Sequence, residues 1–187
     1  MQNHAGYDND GNLPDKVTAK INSDADVALN NYLTLLHESD QALEYLISYF
    51  EMVDEPTVIL FVGDHQPMLG KSFYEEQIGK SQEDFSVEDV ARMYEVPYLI
   101  WANYPLNTEE APAETSMNYL SEILFSVADI ERTSWMEQLS DYRESFPVVT
   151  ANFMREDDED FVSLTLQGDL EQYQKYCYGI LWGGGRS

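Results

Sequence analysis

Apolar positions follow two different rhythms along this chain. From about Asp26 to Val53, Leu29, Leu33, Leu36, Leu43, Ile47 and Phe50 recur at helical steps, marking one face of a long amphipathic helix. Asp24 or Asp26 is placed to cap it, and Asp54-Glu55-Pro56 stops it. Asp40 breaks the stripe, standing where an apolar residue is expected. Thr57–Val62 (TVILFV) and Val96–Ala102 (VPYLIWA) are instead short apolar runs without polar alternation. That pattern predicts strands buried on both faces, as in a parallel sheet covered by helices. The residues between them, with a short helix about Val87–Tyr94, suffice for a parallel crossover. Helical spacing returns over Ser116–Ile130, Thr133–Tyr142 and about Asp169–Leu181. Helix, strand, crossover, strand and helix make the grammar of an α/β layered domain.

Composition narrows the function classes. The chain has 187 residues, with 10 Lys+Arg against 35 Asp+Glu and a formal charge of −25, which opposes binding to nucleic acid or to an anionic membrane surface. Hydrophobic residues reach 43% and aromatic residues 13%, enough for a packed core, so the charge does not signal disorder. One cysteine, Cys177, excludes an internal disulfide framework and a cysteine-based zinc cluster. No stretch approaches the ~20 apolar residues of a membrane span, and the N-terminus lacks a signal-peptide pattern, so the piece reads as soluble. The first two dozen residues, rich in Asn, Asp, Gly and Pro, read as a loop or extended opening segment. The acidic run Glu156–Asp160 reads as a solvated loop, since its spacing fits no EF-hand calcium loop. Gly183–Ser187 reads as a flexible tail or a tag remnant.

The three histidines can be weighed one by one. His65 stands in Gly63-Asp64-His65-Gln66-Pro67, directly after the first apolar run. Ligands gather at the carboxyl ends of strands in open α/β sheets. Asp64 and His65 there offer a hard oxygen and an imidazole nitrogen, suited to a divalent cation such as manganese or zinc. The alternative is a strand-to-loop turn whose Asp64 caps backbone amides. His4, in Met1-Gln2-Asn3-His4-Ala5-Gly6-Tyr7, is either a contact for an anionic group or an exposed histidine near the terminus. His37 shares the long helix with Asp40 and reads as a structural histidine. Asp40 reads as a buried clamp on loop backbone, because a bare buried carboxylate is too costly. Cys177 has only Lys175 as a basic neighbour and reads as inert packing. There is no Gly-rich phosphate loop, no G-x-S-x-G elbow and no H-E-x-x-H zinc motif.

Five segments in order carry a family likeness: MQNHAGYD, NNYLTLLHESDQALEYLISYFE, PTVILFVGDHQPMLG, YEVPYLIWANY and SMNYLSEILFSVADI. Together they resemble the C-terminal half of the extracellular catalytic domain of lipoteichoic acid synthase-like phosphoglycerol transferases. These belong to the sulfatase-like group of the alkaline phosphatase superfamily. The likeness covers roughly residues 1–150. Residues 1–187 would then be the C-terminal fragment of one catalytic domain, with 155–187 as its end or as a C-terminal extension.

The resemblance implies a partial three-layer α/β/α sandwich with a mostly parallel sheet. It implies an enzyme that transfers phosphoglycerol from a lipid headgroup or hydrolyses a phosphate or sulfate ester. One divalent cation would serve it, manganese first, with magnesium, calcium or zinc as alternatives. Asp64 and His65 match the family's metal-binding Asp-His pair, and His4 matches a histidine that contacts the transferred headgroup. The family's threonine nucleophile and glutamate ligand lie in the N-terminal half, and the formylglycine signature C-x-P-x-R is absent, so no catalytic residue is expected in this chain. The parent would sit at the cell membrane through N-terminal helices, with this part outside the cell. The fragment alone is expected to be inactive and to self-associate through exposed apolar faces. The rival reading is a non-catalytic acidic α/β module in which Asp64 and His65 merely form a turn.

Overall fold

The long apolar stripe folds as helix α1, Val27–Phe50, in a computed structural model that describes Tyr7 and residues 27–156, 159–165 and 168–182. The expected caps Asp24 and Asp26 lie outside the described residues, as do His4 and Gly183–Ser187. The N-terminal half of α1 buries Ala28, Leu29, Asn31 and Thr34, whereas Leu36, Tyr45, Leu46 and Tyr49 further along are exposed. Ala28 and Leu29 form a small core with Leu69, against which Tyr7, Tyr32, Leu33 and Phe73 pack. Asn31 Nδ2 donates to the Tyr7 carbonyl at 2.7 Å, and the Tyr7 and Tyr32 rings meet edge to face at 5.6 Å.

The two apolar runs form strands β1, Val58–Val62, and β2, Tyr98–Ala102. They pair antiparallel, with Val58 opposite Ala102 and Val62 opposite Tyr98. The parallel arrangement expected from the sequence is therefore not the one adopted. The connection between the runs is long enough for a crossover, but length only permits one. Here its two ends are tied together: Gly63 N–H donates to the Pro97 carbonyl at 3.0 Å, and the Gln66 side chain donates to the Glu95 carbonyl. The segment consequently leaves and returns at one end of the pair, as an antiparallel pair requires. Nor are the strands buried on both faces, since facing residues Phe61 and Leu99 are each 40% exposed. In the second sheet, β3 (Val148–Val149), β4 (Phe153–Arg155) and β5 (Val162–Ser163) are also antiparallel. The fold class is mixed α/β, as the pattern predicts, but both described sheets are antiparallel.

Between β1 and β2 run α2, Lys71–Ile78, which the periodicity did not reveal, and α3, Val87–Arg92. Gly79 ends α2 at φ 76°, a left-handed conformation open to glycine. Ser86 and Asp89 form a reciprocal capping box that starts α3. Asn103, just past β2, ties this unit together. Its Oδ1 accepts the Thr57 N–H at 2.8 Å, and its Nδ2 donates to the carbonyls of Phe50 (3.2 Å), Val53 (2.8 Å) and Glu55 (3.0 Å). It thereby joins the end of α1 to the start of β1.

Residues 106–187 form a second compact unit, after the first at 1–105. It holds α4, Leu120–Val127, α5, Ser134–Ser145, and α6, Gly168–Trp182, close to the predicted helical segments. Thr133 caps α5 by accepting the Met136 N–H. Tyr119, Ile123, Val127 and Leu139 are almost wholly buried. So is Glu122, whose carboxylate is bonded by Arg143 and lies 3.7 Å from Arg132. Trp135 of α5 stacks on Tyr176 of α6 at 5.3 Å. Burial pushes the Tyr119 hydroxyl up to about 12.

Two substitutions test these clamps. Asn103→Ala should destabilise the first unit by about 1 kcal/mol or more, because four partly buried or exposed backbone groups lose a shared partner; urea unfolding followed by tryptophan fluorescence checks this. Arg143→Met should cost roughly 3–5 kcal/mol in the second unit by stranding a buried carboxylate. Adding Glu122→Met to that variant should return most of the loss in the same assay.

Candidate metal centre

β1 delivers its last residue to a loop whose path is fixed residue by residue. At Gly63 the chain passes so close to the segment leading into β2 that an added Cβ would lie 3.1 Å from the Val96 Cβ, so glycine suits the crossing. Asp64 and His65 then turn outward and remain exposed. Gln66 is half-buried and reaches the Glu95 carbonyl. Pro67 is buried, and its carbonyl accepts both the Tyr74 hydroxyl and the Leu69 N–H, the latter at 3.1 Å. Leu69 then enters the core with Ala28 and Leu29.

The two predicted metal donors are brought together. Asp64 Oδ1 accepts the His65 backbone N–H at 2.9 Å, and Asp64 Oδ2 lies 3.6 Å from His65 Nε2. His65 Nδ1 lies 2.9 Å from the Gln66 carbonyl. A carbonyl only accepts, so Nδ1 carries the hydrogen in this pair and, in the neutral ring, Nε2 bears the lone pair. An imidazole oriented through Nδ1 and facing a carboxylate oxygen is the donor chemistry a divalent cation takes. The residues present fit part of such a site. Among the described residues no group of three or more His, Cys, Asp and Glu is gathered for an ion, so any further ligand lies elsewhere.

The other singled-out residues have different fates. Asp40 is not a buried clamp but is exposed. It borders a groove of about 410 Å³ with Leu33, Leu36, His37, Leu43 and Phe61. The physical reason is that Asp40 lies on an exposed part of α1, where the carboxylate keeps its water instead of needing a buried partner. His37 Nε2 lies 3.3 Å from Gln41 Nε2 across one helical turn. Cys177 is half-buried beside Tyr173, whose hydroxyl is raised above its ordinary range by burial and then by the Cys177 contact. Glu156, Glu159 and Asp160 of the acidic run are exposed, and Asp157 and Asp158 lie outside the described residues.

The family model that matches the chain is that of the sulfatases, over residues 1–130, more than half of its length. The chain belongs to the sulfatase family. That family lies in the alkaline phosphatase superfamily, whose members typically use a divalent metal. This sulfatase-family chain is also 26% identical over 127 residues to a phosphoethanolamine transferase, EptA, of Helicobacter pylori. The alignment covers 64% of the chain and 23% of that relative, so the chain spans about a quarter of the relative's length. No solved structure matches it significantly. Among the described residues no helix is long and apolar enough to cross a membrane.

Reasoning from sequence missed the residues that brace the loop. Tyr74 sits on a helix with no clear apolar period, and Gln66 is one of many polar loop residues. Both acquire their roles from carbonyls brought to them by the fold. At the start of α3, the buried Asp89 carboxylate receives the Lys80 ammonium at 2.6 Å and the Ser86 N–H and hydroxyl at 2.9 and 2.8 Å. These contacts, Lys80 first, hold its carboxyl well below the usual carboxylate range. A depressed folded-state value stabilises the fold at pH above the unfolded value of about 3.9, and the gain is lost as the pH falls below it. Asp89→Asn should thus lower stability at neutral pH. The gap from the natural chain should narrow steadily below about pH 4, as read from urea midpoints across pH.

Proposed function

We propose that this chain is the C-terminal part of a metal-dependent phosphoester enzyme, of lipoteichoic acid synthase-like or phosphoethanolamine transferase type. Such an enzyme moves a phosphorylated headgroup from a lipid, or hydrolyses a phosphate or sulfate ester. The observation that carries the reading is the convergence of Asp64 Oδ2 and His65 Nε2, 3.6 Å apart, at the carboxyl end of β1. Membership of the sulfatase family and likeness to a phosphoethanolamine transferase support the reaction class. In this reading Asp64 and His65 hold one divalent cation, manganese first.

When bound, the cation would offset charge on the nonbridging oxygens of the ester and favour ionisation of an attacking hydroxyl. The chain's own residues supply placement. Gln66 keeps the hydrogen on His65 Nδ1, so that Nε2 is the donor. His4 contacts the anionic headgroup. Three peptide steps, at most about 11 Å at full stretch, separate His4 from Tyr7, which packs on the same cluster as Leu69 of the metal loop. The nucleophile and a further ligand come from an upstream part of the parent, which sits at the membrane with this portion outside the cell.

A second reading draws on the bond from the His65 N–H to Asp64 Oδ1, which is what a plain capping turn would make. Manganese separates the two. Adding Mn²⁺ to the chain should broaden the NMR resonances of Asp64 and His65 selectively, and the isolated chain should not turn over a phosphodiester. In the parent protein, His65→Ala should lower kcat/KM for ester cleavage by about 100-fold or more. Activity in the parent that survives His65→Ala would overturn the metal reading and leave the capping turn.

A further inference from the structure

We propose that Tyr74 and Gln66 are positioning residues that preset the His65 imidazole for its ligand through the Gln66 carbonyl. As a statement about metal binding this rests on the reading of Asp64 and His65 as donors; as a statement about the imidazole it stands alone. Asp64 and His65 are exposed, and exposed side chains ordinarily sample several rotamers. What distinguishes this loop is that the peptide following His65 is held from both sides. The Gln66 side chain donates to the Glu95 carbonyl, in the turn leading into β2. One residue on, the Pro67 carbonyl accepts the Tyr74 hydroxyl from α2 and the Leu69 N–H. Pro67 itself is buried, and its ring limits the backbone further.

The Gln66 carbonyl is therefore a fixed acceptor, and His65 Nδ1 lies 2.9 Å from it. A fixed acceptor at Nδ1 selects the tautomer and the ring orientation together, which places Nε2 toward Asp64 Oδ2. Tyr74 is suited to the task. It is half-buried, its ring meets Phe73 edge to face at 5.4 Å, and burial raises its hydroxyl above the ordinary phenol value, so it stays a donor. The Gln66 side chain bonds the Glu95 carbonyl and the Tyr74 hydroxyl the Pro67 carbonyl. Both act on backbone.

The test uses the full chain and two variants that remove a donor but keep size: Tyr74→Phe and Gln66→Met. Two-bond ¹⁵N–¹H spectra of the labelled imidazoles at pH 8.5 report which nitrogen carries the hydrogen, with His65 signals assigned by their loss in His65→Gln. The natural chain should show the Nδ1–H form at His65. Each variant should shift it toward the Nε2–H form, while His37 stays unchanged and far-UV circular dichroism confirms the fold. Mn²⁺ titration followed by electron paramagnetic resonance should show the dissociation constant rising about tenfold or more. A merely structural role would lower the unfolding midpoint and leave the tautomer as it was. An unchanged His65 tautomer in both folded variants would overturn the proposal. A changed tautomer in variants of a parent protein that takes up no Mn²⁺ would support the positioning role while overturning the metal reading.

Discussion

The carboxamide of Asn103 gathers the end of α1, the turn after it and the start of β1 onto the end of β2, using one acceptor and two donors for four backbone groups. Helix ends carry carbonyls that lack intrahelical partners, and a two-stranded pair is barely stable by itself. Asn103 answers both demands at one point. With the start of β1 held, the antiparallel register fixes where Val62 ends. The loop that presents Asp64 and His65 therefore begins from a defined place. Everything proposed about the donors depends on that register, because a slip of one residue would turn every side chain of β1 to the opposite face.

The opposite end of the pair is closed by several bonds to backbone carbonyls rather than by a single side chain. Gly63 with Pro97, Gln66 with Glu95 and Tyr74 with Pro67 convert a long connection into a braced loop. Its two proposed donors are exposed while the residues after them are anchored. Such a division suits a site that must receive a ligand: the donors stay accessible, and the backbone under them loses little entropy on binding. The net charge of −25 adds a field that raises the local concentration of cations and that salt would weaken.

The second unit solves a different problem. Glu122 is fully buried and is compensated by Arg143 and, at greater distance, Arg132. Buried pairs of this kind contribute little net stability, but losing one partner is costly, so they tie α4 and α5 to one arrangement. The aromatic contacts of Tyr142 and Trp135 with α6 extend that packing. The sulfatase match reaches residue 130, so it includes α4 but not α5, α6 or the second sheet.

Much of this architecture was legible in the linear chain. Leu29, Leu33 and Phe50 mark α1 and TVILFV marks β1, because periodicity and β-branched content act over a few residues and need no distant partner. The Gly63-Asp64-His65 sequence brings the proposed donor pair together for the same reason: adjacent residues at a strand end stay adjacent in any fold. The three very short strands β3, β4 and β5 and helix α2 left too few periodic positions to be seen. Tertiary structure alone decided that β1 and β2 run antiparallel, that Asp40 is solvated, and that Asn103, Gln66 and Tyr74 meet particular carbonyls. Those outcomes turn on which distant backbone groups need partners and which helix faces remain uncovered, and local pattern carries no information about either.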